Sequence, residues 1–527
     1  MTLLVDSLSD CIGAISTATI FYWALPLAIV YITYRLHSAL TPPPNQDGGV
    51  PYIPVHKSLR WMLQSTIGRY TIMQNLQKPY FEDPGIVKIW MFGVWEYSIN
   101  NAEFARIFFT QSDIFEKVNV RKMMPHSLGP RVAGRSLVFE NGSAYRGHRA
   151  VVSPAFRRLW PAHLFRKPMD DMIHVFETNC SKPVEVLHIF YRTTVDVLGH
   201  IVMGYDFEAL RNPGNKYTSM YDNLVAAVVH PIYNMLPWLD LFPMGNRAQQ
   251  WKNLEHFNAF LDNIIEERLA EVEKMALLTS DERDNASLLT LLLESYIQST
   301  SGKMLDDRGK PVTPLTKEEL RDNIGLFYVA GYDTTANALS FAMMELARYP
   351  EIQKKARDSV LEIIGDTRDA YPTDEQIKQL MYLDSVLKEA MRKNSIVTDI
   401  RRCLSEPVQL GPYTLPKGAT VSIDSWSMHY NPANFPEPEN FIPERFEDKS
   451  ADAKAVTPYT FTTFSNGSRQ CSGIKFALIE QRIAMALLLL RFEWTLPADS
   501  PFWHSTPSTA GGLISPVGLK LEIKPRH

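Results

Sequence analysis

The chain has 527 residues, 45% hydrophobic and 21% charged, with a formal net charge of −4. That is enough apolar material for a large core, and the slight acidity leaves no electrostatic footprint for nucleic acid. The four cysteines, Cys11, Cys180, Cys403 and Cys471, are scattered and form no CxxC pair, which argues against a disulfide framework or zinc site and for a thiol-reducing compartment.

The first predicted element covers residues 11–34, CIGAISTATIFYWALPLAIVYITY, which carry no charge. A helix of about 24 residues reaches roughly 36 Å, past a hydrocarbon core of roughly 30 Å. Asp6 and Asp10 precede it while Arg35 and His37 follow, so the positive flank places the rest of the chain on the cytosolic side of a single span. A cleaved signal peptide is the competing reading; the stretch is too long for one and lacks a basic start. TPPPNQDGGVPYIP then reads as a stiff proline turn. The expected division is an anchor at 1–40, a proline-rich linker at 41–56 and a single body at 57–527.

The body opens with a helical pattern at 59–76 and two strand-like runs, IVKIWMF and WEYSIN. Helical patterns dominate from about residue 141 to 393, and short strands return near 414–423. The fold class is therefore mainly α, with a small sheet assembled from distant pieces. Residues 279–284 and GKMLDDRGKP read as exposed loops. Thr316 and Glu319 form a capping box at the start of a helix of roughly 50 Å that stops at Pro350. PEIQKKARDSVLEIIGD is an amphipathic connector. Thr373 with Gln376 starts the next helix, in which Ile377, Leu380, Leu383, Val386, Leu387 and Ala390 keep helical spacing up to Asn394.

The chemistry concentrates in FSNGSRQCSG, residues 464–473, just ahead of the apolar helix IKFALIEQRIAMALLLL. A cysteine before a helix start meets free N–H groups and the positive dipole end, which favours thiolate. Gly467 permits a tight turn, Gly473 a close approach to something flat or bulky, and Arg469 offers a fork of donors for a carboxylate. Phe464 could shield the sulfur from water. A structural cysteine is the plainer reading of C-x-G alone. The whole set suits a haem iron with its propionates.

The spacing F-x-x-G-x-R-x-C-x-G resembles the haem-thiolate loop of the cytochrome P-450 family. Glu389 and Arg392 in KEAMR resemble the family's E-x-x-R, and FIPERF supplies its P-E-R-F with Pro443, Glu444, Arg445 and Phe446. Ala330, Gly331, Tyr332, Asp333, Thr334 and Thr335 resemble [AG]-G-x-[DE]-T-[TS]. A threonine hydroxyl in this segment can bond back to the carbonyl of Ala330; in the plainer reading, its small residues serve only helix packing. Tyr145 and Arg149 stand at the spacing of W-x-x-x-R, with tyrosine where the family usually has tryptophan.

The resemblance implies a cytochrome P-450 fold, a single large haem domain behind the N-terminal transmembrane helix. It implies haem b with Cys471 as axial thiolate and metal ligand. It places Arg469, Arg402, Arg149, Tyr145, Phe464 and Gly473 around the cofactor, with Arg401 open as an alternative to Arg402. Glu389, Arg392 and Arg445 would form a buried structural network. Asp333 and Thr334 become the catalytic pair, one relaying protons and the other hydrogen-bonding bound oxygen.

The function implied is monooxygenation of a lipophilic small molecule, steroid- or terpenoid-like, within secondary metabolism. Electrons would come from a separate NADPH-cytochrome P-450 reductase, with cytochrome b5 as a second donor, on the cytosolic face of the endoplasmic reticulum membrane. The pocket would draw on Phe327, Ala330, residues 397–399, the loop 123–135 and the turn 512–514. Asp399 would either meet a polar substrate group or pair with Arg401 or Arg402. A haem-thiolate isomerase or dehydratase, and a non-catalytic haem protein, are the alternatives.

Overall fold

The computed structural model describes residues 30–526 apart from 31–32, 35–36, 38–39, 44–46, 64–67, 82, 92, 215–223, 225–227, 229–232, 234–235, 275–279, 303, 307, 448–455 and 510–511. Nearly all of the expected anchor lies outside the described residues. Among the described residues no helix is long and apolar enough to cross a membrane.

Five helices and one sheet position the site: α1 Gly142–Phe156, α2 Val186–Val197, α3 Lys317–Arg348, α4 Met381–Lys393 and α5 Ile474–Arg491. The strands are β1 Ile86–Met91, β2 Val94–Ile99, β3 Phe115–Glu116, β4 Asp399–Leu404 and β5 Thr420–Asp424, in the order β1-β2-β5-β4-β3. β2 and β5 run parallel while the other pairs are antiparallel, so the sheet joins segments some three hundred residues apart. The linker docks on it through Asp47, which accepts hydrogen bonds from Lys88 Nζ and Tyr97 Oη, both at 2.9 Å.

α3 starts as its sequence dictates. Thr316 accepts from Glu319 N while Glu319 Oε2 accepts from Thr316 N. It crosses the molecule against α2, α4 and α5, and its second half is buried on every side. α5 supplies the densest core, with Ile483 and Leu487, Leu488 and Leu489 fully buried.

Two expectations are corrected. The pattern beginning at Thr373 is two helices, because Leu380 leaves helical geometry between Asp374–Gln379 and α4. Of the supposed loop at 279–284, residue 279 lies outside the described residues and the rest belongs to the short helix Ser280–Asn285; its run of charged and polar residues hid a helical turn that apolar periodicity cannot signal.

The Glu–Arg–Arg network is present and closed. Arg392 donates through Nε and Nη2 to the two oxygens of Glu389, at 2.7 and 2.8 Å, and Arg445 Nε lies 3.5 Å from Glu389 Oε1. All three are essentially without solvent exposure. His429 ties this network to the cysteine segment. Its Nδ1 donates to Arg392 O at 3.1 Å and its Nε2 accepts from Thr462 N at 3.0 Å.

Candidate active site

A cavity of about 590 Å³ lies between α1, α3, α5 and the end of α2. Cys471 opens onto it, and Cys471 N donates to Phe464 O at 2.9 Å, closing the loop into a tight turn. Gly467 holds φ at +68°, and a Cβ there would meet Phe109 O at 2.4 Å, so that turn requires glycine. Gly473 is different: a Cβ would meet no protein atom closer than 3.9 Å. Its bareness leaves room on the cavity side.

The thiol does not behave as the helix start alone suggested. Burial raises its pKa, and the opposing hydrogen bond from Gly473 N–H is the weaker influence. The sulfur has open surface, but that surface faces the cavity rather than bulk water. A thiolate here depends on a bound metal ion, which deprotonates a coordinating thiol outright.

Lys117, Arg149 and Arg469 line one side of the cavity, and a fourth cation, Arg402, acts on Lys117 and Arg469 without lining it. Arg469 donates to Asn141 Oδ1 at 3.0 Å and lies over the Tyr145 ring with Cζ at 3.3 Å from the centroid. Arg149 Nη1 donates to Tyr145 Oη at 2.7 Å, and both side chains bond Ser468 O. Among the described residues, Arg402 hydrogen-bonds only the Arg401 carbonyl, at 2.8 Å. Burial first, and Arg469 second, bring Arg402 down to about 10, and burial likewise brings Arg469 to about 10. Lys117 is pushed well below its ordinary value by burial, then by Arg402 and Arg469. Among the described residues no carboxylate forms an ion pair with any of the four. Buried cations without counter-charges are costly, so this cluster is built for an anionic ligand.

Sulfur, bare glycine and four cations together fit haem, a flat iron macrocycle with two carboxylates. Lys117 was missed from the sequence. Its only signal was a lysine just after a two-residue strand, which looks like any surface lysine. Arg402 does not line the cavity; Arg401 does, since strand alternation turns neighbours to opposite faces. Arg401, however, is committed to Glu96, with Nε–Oε2 at 2.7 Å, and lies 3.6 Å from Asp399. The pairing of Asp399 with Arg401 is therefore observed, and Thr398 Oγ1 also donates to Asp399 Oδ2, at 2.5 Å.

On α3, Thr334 and Thr335 face the cavity with Phe327, Ala330 and Gly331. Thr334 Oγ1 donates to Ala330 O at 2.9 Å, the back-bond anticipated from the sequence. Neighbouring carbonyls are also drawn to side chains: Thr194 Oγ1 donates to Tyr332 O at 3.1 Å and Asn337 Nδ2 to Asp333 O at 2.7 Å. Gly331 serves packing as well, because a Cβ there would meet Leu198 Cδ2 at 2.8 Å. Asp333 is buried but is not among the lining residues. One helical step of about 100° carries it round from the face that Thr334 presents. Val397 and Asp399 line the cavity as expected, whereas residues 123–135 and 512–514 do not.

Residues 51–523 match the family model described as Cytochrome P450. Among curated relatives, "Cytochrome P450 4d2" of Drosophila melanogaster is 26% identical over 419 residues, 75% of this chain and 78% of the relative. "Cytochrome P450 3A16" of Mus musculus is 28% identical, over 69% of this chain and 70% of the relative. "Cytochrome P450 4V2" of Homo sapiens is 27% identical, over 77% and 76%. The chain belongs to the cytochrome P450 family, whose members are monooxygenases that bind haem b through a cysteine thiolate.

Proposed function

We propose that Cys471 is the axial ligand and that Arg149, Arg469, Lys117 and Arg402 hold the haem propionates. The substrate is a lipophilic small molecule, steroid- or terpenoid-like, and the setting is secondary metabolism. The observation that carries this reading is a mostly apolar cavity that joins one open sulfur, the Thr334 hydroxyl and three cations, Lys117, Arg149 and Arg469, which have no carboxylate partner among the described residues. When bound, the haem supplies reductive activation of dioxygen with a thiolate that favours O–O cleavage.

The chain's own residues do the rest. Phe327 packs the substrate, while Phe464, in the cysteine loop, shields the sulfur from water. Thr334 presents a hydroxyl on the cavity that would donate a hydrogen bond to a ligand there in place of Ala330 O. Asp333, buried one helical step away, relays protons towards that hydroxyl. Electrons come from a separate NADPH-cytochrome P450 reductase, with cytochrome b5 as second donor. Residues 11–34 hold the protein on the cytosolic face of the endoplasmic reticulum membrane.

The isomerase or dehydratase alternative uses no reducing equivalents, and Thr334 on the cavity favours the monooxygenase. Purified protein with reductase should consume NADPH, and its reduced carbon-monoxide complex should show the red-shifted Soret band of a thiolate. Cys471→Ala and Cys471→His should lose that band. Its retention in either variant overturns the ligand assignment; product formed without reductase or peroxide favours the isomerase.

A further inference from the structure

β4 opens on Asp399, and around it three carboxylates share two guanidiniums. Arg69 Nη2 donates to Asp424 Oδ2 at 2.7 Å, and Arg401 Nε donates to Glu96 Oε2 at 2.7 Å. Asp399 stands between these pairs with the poorest share. Arg401 Nη2 lies 3.6 Å from its Oδ2 and Arg69 Nη2 lies 4.0 Å from its Oδ1, both beyond hydrogen-bond reach. Among the described residues its side chain accepts a single hydrogen bond, from Thr398 Oγ1 at 2.5 Å. Of the three acids Asp399 alone lines the cavity, and its side chain is only 10% exposed.

The cluster is one positive charge short. Burial first, and the repelling charge of Asp399 with it, raise the pKa of Glu96 and of Asp424 in spite of their arginines. Both are nevertheless held as acceptors, the role of an ionised carboxylate. Glu96 also takes Ser422 Oγ at 3.4 Å, and Asp424 takes Ser427 N at 2.8 Å. Among the described residues no further lysine or arginine pairs with any of the three acids. The cofactor does not make up the deficit. Haem carries hydrocarbon edges and two more carboxylates at its rim, with no cation or N–H donor there. Its propionates belong to the four cations, and Arg402 projects from the face of β4 opposite to Asp399. The missing charge at Asp399 is therefore still missing when haem is bound.

We propose that Asp399 is a specificity-determining residue of this cavity, selecting as substrate a lipophilic amine in its protonated form. The inference rests on the monooxygenase reading and gives the substrate of that reading a charge. A carboxylate without a counter-charge is costly in an apolar site. An ammonium group set against it removes that cost and adds a charge-assisted contact. A wholly neutral steroid or terpene leaves the deficit in place, whereas a nitrogen-bearing one meets it. Thr398 and the two arginines steady the carboxylate without filling its acceptor sites, so one substrate cation completes the cluster.

Two measurements on full-length, haem-loaded, substrate-free protein test this. The first is equilibrium dialysis with a matched pair, trimethyl(4-phenylbutyl)ammonium and (5,5-dimethylhexyl)benzene, which differ only in nitrogen for carbon. The quaternary nitrogen has no lone pair and so cannot ligate iron. Asp399→Asn should weaken binding of the cation by about tenfold or more and leave the hydrocarbon unchanged. Equal effects on the two, or none on the cation, overturn the proposal.

The second measurement needs no ligand. If Asp399 is surplus negative charge kept for a substrate, Asp399→Asn should unfold in denaturant at a midpoint equal to or above that of wild type. If Asp399 serves only to hold Arg69 and Arg401, the midpoint should fall. A lower midpoint, or a variant that does not fold, overturns the proposal; should wild type bind neither compound, this comparison decides alone. The parent reading is judged separately. A wild-type protein without the carbon-monoxide thiolate band, or without NADPH consumption in the presence of reductase, ends the monooxygenase reading whatever the dialysis and unfolding results say of Asp399.

Discussion

Two clusters of buried arginines lie within this protein, and they are built on opposite plans. Around Glu389 every charge is answered: Arg392 is held by both carboxylate oxygens and by the carbonyls of His429 and Asn440, at 3.0 and 3.1 Å. Burial works against the Arg392 charge, yet Glu389 outweighs it and raises its pKa. At the cavity edge, Arg402, Arg469 and Lys117 meet burial and each other, and all three are lowered. A closed cluster holds a fold; an open one stores charge for a ligand that the chain does not itself supply. The same residue type serves structure or cofactor binding according to whether a carboxylate was folded in with it.

The largest way to break this contrast is to open the closed cluster. Glu389→Leu strands Arg392 and Arg445 without their shared acid, and removing one partner of a buried pair costs about 3–5 kcal/mol. Denaturant unfolding should show a loss of that size, together with poor haem retention because His429 and Thr462 follow the network. A variant of near wild-type stability would show that the cluster is not closed by Glu389.

Next in size is Arg469→Leu, which should act with different strength in the two forms of the protein. In the apoprotein it removes one of several crowded cations, and the unfolding midpoint should change little. With haem it removes a charged hydrogen bond to a propionate, roughly 1.5–3 kcal/mol, or about a ten- to hundredfold weaker cofactor affinity. Haem transfer to apomyoglobin measures the second quantity. Equal destabilisation of both forms would mean that the open cluster is paired from within.

Local signals in the sequence read well and long-range ones did not. Capping boxes at Thr316 and Thr373 depend on residues three apart, and both formed. Thr334 back-bonding to Ala330 was legible for the same reason. Lys117 and His429 were not legible, because their meaning comes from partners, or the lack of them, contributed by distant segments. The break at Leu380 escaped because apolar spacing continues straight through it. The resemblance implied a proton relay for Asp333 without saying where its side chain lies; the helix places it buried, one step round from the face that Thr334 presents.

His429 sharpens the contrast through pH. Burial, then Arg392, depress its pKa to about 3, whereas an unfolded histidine titrates near 6.5. The folded protein keeps the ring neutral in this window while the unfolded chain binds a proton. The contribution of His429 to stability is therefore full above about pH 6.5 and falls as the pH drops towards 3. The slope from this one group approaches about 1.4 kcal/mol per pH unit. Glutamine keeps a donor and an acceptor without titrating, so His429→Gln should unfold with a visibly flatter acid dependence. An unchanged slope would mean that other groups set it.

The smallest effect belongs to Tyr145, where the chain departs from the family's tryptophan. Its hydroxyl donates to Ser468 O and accepts from Arg149, and its ring lies under Arg469. The ring and the hydroxyl therefore have separable duties at the open cluster. Tyr145→Phe keeps the surface beneath Arg469 but removes one donor from a carbonyl that Arg149 also serves. Because that carbonyl stays satisfied, the loss should be about 1 kcal/mol or less, read as a change in haem affinity of at most about fivefold with an unshifted thiolate band. A larger loss would mean that the hydroxyl contacts the cofactor itself. In that case tyrosine donates to a propionate, as tryptophan would at the same spacing, and the departure from the family pattern changes the residue while keeping the bond.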